Sequence, residues 1–252
     1  MKPVVLSKRL QAVAGMVTPG NRVCDVGCDH GFVSIYLIEQ GVSPSVLAMD
    51  VRSGPLSAAR EHIAERGLES VITTRLSDGL HNYNIGEADT LICAGMGGAL
   101  MRKILSEKKE KADSFCELVL QPQSEIEQFR TWLREQGYRV VDENMIEEEG
   151  KFYPLMKVIP EDTFEHSEYT APADDSVLCK LYERYGFYLL SRQDATLRAY
   201  LWREENIYGE ILENLEKQGL QNEKRALRYK EVSALLEECR LALKLVTTQK
   251  SS

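Results

Sequence analysis

Long apolar runs are missing from this 252-residue chain, and no stretch approaches the roughly 20 residues that a membrane-spanning helix needs. The first residues, Met1, Lys2, Pro3 and Val4, lead into an amphipathic stretch holding Arg9 and not into the apolar core of a signal peptide. A cytoplasmic protein without membrane contact is expected. Metal-ligand spacings are missing as well. The six cysteines (Cys24, Cys28, Cys93, Cys116, Cys179, Cys239) make no C-x-x-C pair, and the four histidines (His30, His62, His81, His166) make no H-x-x-x-H. No metal is expected, and the thiols read as free and mostly buried. Positive charge is also short: 31 Lys and Arg against 39 Asp and Glu leave −8. That total alone disfavours nucleic acid, whose phosphates need a basic footprint.

What is present is ordinary in bulk and informative in arrangement. At 43% apolar and 28% charged residues the chain is neither collagen-like nor low-complexity nor disordered, and its length can bury one large core or two modest ones without staples. Six acids (Glu161, Asp162, Glu165, Glu168, Asp174, Asp175) and no Lys or Arg lie between 161 and 175. From Lys217 to Lys230 the sign reverses, with Lys217, Lys224, Arg225, Arg228 and Lys230 against Glu223 alone. A basic patch therefore survives the acidic total.

Up to about Pro160, apolar or β-branched runs alternate with helical patterns, as in a parallel sheet covered by helices on both faces. Strands are expected over Arg22 to Val26, Val46 to Asp50, Ile72 to Leu76, Thr90 to Cys93, Glu117 to Gln121, Tyr138 to Glu147 and Tyr153 to Val158. The last two read as an antiparallel hairpin, and a leading helix is expected from Val5 to Val17. The segments are a doubly wound domain at 1–160, an acidic linker at 161–175 and a helical domain at 176–252. In the last, Leu197, Leu201, Ile207, Ile211, Leu212 and Leu215, then Leu227, Val232, Leu235, Leu236, Leu241 and Leu245, recur at helical spacing on either side of Gly219. They read as the core of an antiparallel helical hairpin.

In doubly wound sheets the ligand sits past the carboxyl ends of the strands, so the residues there carry the functional reading. After the first strand come Asp25, Gly27, Asp29, His30 and Gly31 in a D-x-G-x-x-x-G loop. A nicotinamide or flavin site would use G-x-G-x-x-G, and a carboxylate at position 29 would face its pyrophosphate, so a dehydrogenase is excluded. An acid here suits a cofactor with an ammonium group, although a structural turn would use the same glycines. Asp50, followed by Val51, ends the second strand where an acid accepts from ribose hydroxyls. Ser77, Asp78 and Gly79 follow the third, where a carboxylate could meet an adenine amine or simply cap a turn. Ala94, Gly95, Met96, Gly97 and Gly98 follow the fourth, where glycines admit a planar group or make a tight turn. Four strand ends with the groups that adenosine plus an amino acid needs point jointly to S-adenosyl-L-methionine.

The motifs D-V-G-C-D-H-G, M-D-V-R-S-G-P-L, R-L-S-D-G-L, A-G-M-G-G, L-Q-P-Q-S with R-T-W-L, and E-E-E-G-K-F-Y, preceded by S-K-R-L-Q-A-V-A, occur in this order. Together they resemble the bacterial tRNA (adenine-22-N1)-methyltransferases. The resemblance covers Ser7 to Val158 and the helical C-terminal region. It departs from the family pattern at Gln123 (Asn is usual), Asp50 (Glu is usual) and Pro154 (an acid is usual). It implies an α/β fold of the Rossmann-like class I methyltransferase type, with a seven-stranded sheet and a C-terminal coiled-coil-like helical hairpin that binds tRNA. It also implies tRNA as the partner, with no obligate protein partner evident. Asp29 and His30 are the candidate catalytic groups, with cofactor holding or loop shaping as their alternatives. Arg9, Met96, Gly97 and Gly98 are candidate substrate contacts near the cofactor, and Lys224, Arg225 and Arg228 are candidates at the hairpin turn, where a solvated helix end would look the same. Arg130 and Trp132 are further possible RNA contacts, Trp132 reading more readily as core. A small-molecule or other RNA substrate, or a module without turnover, remain as alternatives.

Overall fold

The computed structural model describes residues 3–160 and 177–248. The chain divides into two compact units, Met1–Thr170 and Ala171–Ser252. The expected acidic linker at 161–175 lies outside the described residues.

In the first unit, Ser7 caps helix α1 (Lys8–Gly15) through its hydroxyl, which starts that helix later than the expected Val5. Then follow β1 (Val23–Val26), α2 (Phe32–Glu39), β2 (Val46–Asp50), α3 (Ser53–Glu65), β3 (Ile72–Leu76), β4 (Thr90–Met96), α4 (Gly98–Glu107), the single turn α5 (Lys109–Ala112), β5 (Glu117–Pro122), α6 (Ile126–Glu135), β6 (Tyr138–Glu148) and β7 (Lys151–Pro160). The seven strands form one sheet in the order β3-β2-β1-β4-β5-β7-β6. Strands β1 to β5 pair in parallel, and β7 runs antiparallel between β5 and β6.

The pattern of burial explains the order. Every residue of β1, β2 and β5 is buried, as central parallel strands covered on both faces require, whereas β3 and β6, at the two edges, are only partly buried. The β6–β7 turn is only Glu149 and Gly150, both with positive φ, the combination that matches strand twist in a two-residue hairpin. Strand β4 extends past the expected Cys93 to Met96, with its register against β5 shifting between Ala94 and Met96. That irregularity leaves Gly95, at φ +79, without a ladder partner in β5.

Two residues weighed as RNA contacts are part of this framework. Arg130 is buried and paired with buried Glu143 at 2.9 Å, so it is not available to a phosphate. Trp132 is half-buried against the core beside Phe129 and Tyr138. Arg130→Met should lower unfolding stability by about 3–5 kcal/mol in a denaturant titration, because buried Glu143 loses the guanidinium that it faces at 2.9 Å. A loss below about 1 kcal/mol would mean that water reaches the pair.

The second unit is helical: α7 (Val177–Tyr185), α8 (Phe187–Ser191), α9 (Ala195–Lys217) and α10 (Glu223–Thr247). Two short helices thus precede the expected pair, separated by left-handed turns at Gly186 and Gln193. Helices α9 and α10 lie antiparallel, with Arg240 bonded to Glu205 near the base and Tyr229 to Glu216 near the turn. The turn uses Gly219 at φ +79, and the Asn222 side chain caps α10. The expected core is only partly core. Leu197, Leu201, Val232 and Leu236 are buried, but Ile207, Leu227, Leu241 and Leu245 are exposed, because each helix of a pair buries one stripe and its apolar residues span a wider arc. None of the six cysteines is in a disulfide; Cys116 is exposed and the other five are buried. Among the described residues no helix is long and apolar enough to cross a membrane, and no cluster of three or more His, Cys, Asp or Glu could hold a metal ion.

Candidate functional site

From β1 the chain winds outward to β2 and β3, and from β4 it winds the other way, so strand order reverses between β1 and β4. A cavity of about 470 Å³ opens there, at the carboxyl ends of these strands.

The loop after β1 is wound tightly: Gly27, Asp29 and Gly31 all have positive φ, and the Gly27 and Cys28 amides both donate to the Met49 carbonyl. A Cβ at Gly27 would fall 2.2 Å from Met96 Cε, the far end of a flexible side chain, so its positive φ is the firmer constraint. Asp25, one residue before the end of β1, is buried, and its Oδ2 accepts from Ser34 Oγ at 2.7 Å. Burial pushes its carboxyl up to about 6, the Ser34 bond pulls against this, and the neighbouring Asp50 charge adds to it. Burial likewise pushes the Cys28 thiol up, which makes it an inert wall residue.

Asp50 is buried at the tip of β2 and joins two loops. Its Oδ1 accepts from the Arg52 amide at 2.8 Å and its Oδ2 from the Asp29 amide at 3.2 Å. Two bonds leave further lone pairs on the carboxylate, aimed where the cavity begins. Exposed Asp29 lies 3.6 Å from Arg52, a loose, solvated ion pair, and 3.9 Å from the His30 ring.

After β3, Ser77 Oγ donates to the Gly79 carbonyl and accepts from the Asn82 amide, which holds the Asp78 turn in shape. Lys111 fastens that turn from behind, with Nζ bonded to the carbonyls of Leu80, His81 and Tyr83.

The opposite wall is Ala94, Gly95 and Met96 at the end of β4, with Arg9 of α1 and Gln123 beyond β5. Of the residues expected from the sequence, Arg9, Asp25, Gly27, Asp29, His30, Asp50, Val51, Ser77, Asp78, Gly79, Ala94, Gly95 and Met96 surround this one cavity. Gly31, Gly97 and Gly98 sit behind the wall. There a Cβ would come within 3.1 Å of Ala59 Cβ, 2.9 Å of Ser124 Oγ and 2.7 Å of the Ser124 carbonyl, respectively. Lys224, Arg225 and Arg228 belong to the second unit, at the start of α10, where the Arg225 guanidinium bonds the Gln218 carbonyl and Arg228 faces Glu231 at 3.2 Å. Phe32, Arg52, Leu100 and Ile104 also line the cavity. Sequence reasoning missed them because they lie inside helices or just past a strand end that was credited to its acid. Gln121 was missed too, and its signal was a lone amide closing an apolar strand.

Four carboxylates, two of them buried, thus face one small cavity beside only two arginines. The arrangement suits a ligand with hydroxyls and positive charge and repels a pyrophosphate.

A family model described as a methyltransferase domain matches residues 6–156. The chain belongs to the methyltransferase domain family. The chain is 36% identical over 156 residues to the tRNA (adenine(22)-N(1))-methyltransferase of Bacillus subtilis, a match that spans 62% of this chain and 66%, just under two thirds, of that protein. The solved structure of the Bacillus subtilis m1A22 tRNA methyltransferase TrmK is 29% identical, with a TM-score of 0.79 over 95% of this chain and 99% of that one. A Streptococcus pneumoniae protein solved in complex with S-adenosyl-L-methionine is 28% identical, with a TM-score of 0.77 over 95% of this chain and all of that one.

Proposed function

We propose that this protein transfers a methyl group from S-adenosyl-L-methionine to N1 of adenine 22 in tRNA. The observation that carries the reading is the convergence of Asp25, Asp29, Asp50 and Asp78 on one cavity at the strand switch point. Position 22 rests on the relatives' own activity.

The residues present fit the cofactor. Asp50, already ordered by two backbone amides, accepts from the ribose hydroxyls. Asp78, on a turn fixed by Ser77 and Lys111, meets the adenine amine, with Gly79 and the exposed Val51 beside the ring. Gly27 allows close approach of the β1 loop, while Asp25, Asp29 and His30 supply the acidic end that an ammonium requires. When bound, the cofactor supplies a methyl already activated by the sulfonium charge. The chain's task is to hold the acceptor in line and keep water out.

Adenine N1 suits that economy of catalysis, because its lone pair lies in the ring plane and needs no deprotonation. Enzymes that methylate an exocyclic amine commonly hold its nitrogen with an Asn/Asp-Pro-Pro-aromatic segment at the end of the fourth strand, and Ala94-Gly95-Met96-Gly97 stands there instead. Methylation leaves positive charge on the base. Asp29 and His30, exposed at the cavity mouth, are the groups placed to stabilise it or to take the amine proton. N1 lies on the pairing edge of the base, so the target must be unstacked first. The test is to incubate the protein with labelled cofactor and a tRNA transcript and identify the product nucleoside by mass spectrometry. 1-Methyladenosine is expected, and N6-methyladenosine or an unlabelled transcript would overturn the assignment.

In the second unit, Lys224, Arg225 and Arg228 are proposed to contact tRNA phosphates in the cytoplasmic setting that tRNA modification implies. Lys224→Glu combined with Arg225→Glu should weaken tRNA binding by roughly tenfold at moderate salt, flatten its salt dependence and leave cofactor binding intact. Unchanged tRNA affinity in a filter-binding titration would remove these residues from the interface.

A further inference from the structure

Gln121 is the penultimate residue of the buried strand β5, near its carboxyl end, and is wholly buried itself. A buried amide must have its polar atoms matched, and here both are. Its Oε1 accepts from Arg9 Nη1 at 2.8 Å and from the Gly95 amide at 3.1 Å, and its Nε2 donates to the Pro122 carbonyl at 3.2 Å. One carboxamide therefore ties α1 to the β4 loop along the cavity wall. Arg9 has a second restraint, because its Cζ lies 5.4 Å from the centre of the Tyr153 ring, within cation–π range.

These contacts turn a flexible side chain into a fixed plane. The guanidinium is anchored through one nitrogen by Gln121, lies over a phenol ring, and still lines the cavity. A phosphate clasp would use the free fork of an arginine, whereas here Nη1 is committed inward. A planar cation of this kind is a surface on which an unstacked nucleobase packs. Packing also holds a base by its face and leaves the edge that carries N1 and the amine free to react.

We propose that Arg9, over Tyr153, is the platform for the target adenine, and that Gln121 is a positioning residue acting through Arg9. The proposal rests on the reading that the substrate is an adenine in tRNA.

The test compares wild type with Arg9→Ala, Arg9→Lys, Gln121→Leu, Gln121→Glu and the Arg9→Ala/Gln121→Leu double variant, measuring kcat and KM for a tRNA transcript and cofactor affinity by calorimetry. Arg9→Ala should lower kcat/KM by about 30-fold, the scale of one lost base stack, with cofactor affinity unchanged. Arg9→Lys should fall nearly as far, since it keeps the charge and loses the plane. Gln121→Leu should resemble Arg9→Ala, and Gln121→Glu, which keeps an oxygen for both donors but sets its second oxygen against the Pro122 carbonyl, should recover part of the loss. The double variant should fall well short of the product of the single effects. Wild-type kinetics for Arg9→Lys, independent effects in the double variant, or a Gln121→Leu defect that tracks cofactor affinity would each overturn the proposal. If the wild-type protein methylates tRNA and one of these results appears, this proposal alone fails. If the wild-type protein methylates no tRNA adenine, the proposed function fails and takes this proposal with it.

Discussion

Asp50→Ala should weaken S-adenosyl-L-methionine binding by roughly 10²- to 10³-fold, measured by calorimetry, because two charge-assisted hydrogen bonds to ribose hydroxyls are worth about 3–5 kcal/mol together. The loss has two parts. The ribose loses its acceptor, and the amides of Asp29 and Arg52 lose the group that holds them at 3.2 and 2.8 Å. Asp50→Asn should be nearly as damaging, since its NH₂ would face one of those backbone donors. Asp50→Glu should bind within about tenfold of wild type, because it keeps the charge and both acceptors at a cost in geometry. Binding of Asp50→Ala within threefold of wild type would mean that the ribose is held elsewhere.

Asp25→Asn should stabilise the fold at neutral pH while it weakens the cofactor. Burial raises the Asp25 carboxyl to about 6, above the value of about 4 that it has in an unfolded chain. Between those values the folded state keeps a proton that the unfolded state releases. The favourable contribution of Asp25 is therefore complete below about pH 4 and is lost as pH rises through 6. Above that, an ionised buried carboxylate opposes folding by about 3 kcal/mol. Asparagine stays neutral and still accepts from Ser34, so the variant should melt several degrees higher than wild type at pH 7.5, and the difference should shrink toward pH 4. A buried charge retained at such a cost is explained by a cationic ligand that rewards it. The account predicts a higher melting temperature together with weaker cofactor binding; a variant that is stabilised and binds normally would show that Asp25 serves the fold alone.

The central sheet could be read from the sequence because β1, β2 and β5 are buried on both faces and so leave continuous apolar runs. Reading the acids at or just past the ends of β1, β2 and β3 was enough to gather Asp25, Asp50 and Asp78 at one edge, since parallel strands bring their carboxyl ends together. Partnerships across the fold were harder to see. Arg130 and Glu143 are thirteen residues apart on α6 and β6, and only the packing of that helix on the sheet shows that they meet inside the core. Gln121 finds Arg9 across 112 residues, and no local pattern marks the pair. The hairpin leucines carried the right period, but a pair of helices offers each of them only one buried stripe, which left Leu227 and Leu241 outside. The break at Gln193 was hidden because a non-glycine residue adopts the left-handed turn there.

The most direct test uses two tRNA transcripts that differ only in adenine or guanine at position 22, each incubated with wild-type protein and labelled S-adenosyl-L-methionine, with the modified nucleoside mapped by mass spectrometry. The account predicts 1-methyladenosine at position 22 of the adenine transcript and no label in the guanine transcript. Label in both transcripts, or in neither while the cofactor still binds, would contradict it.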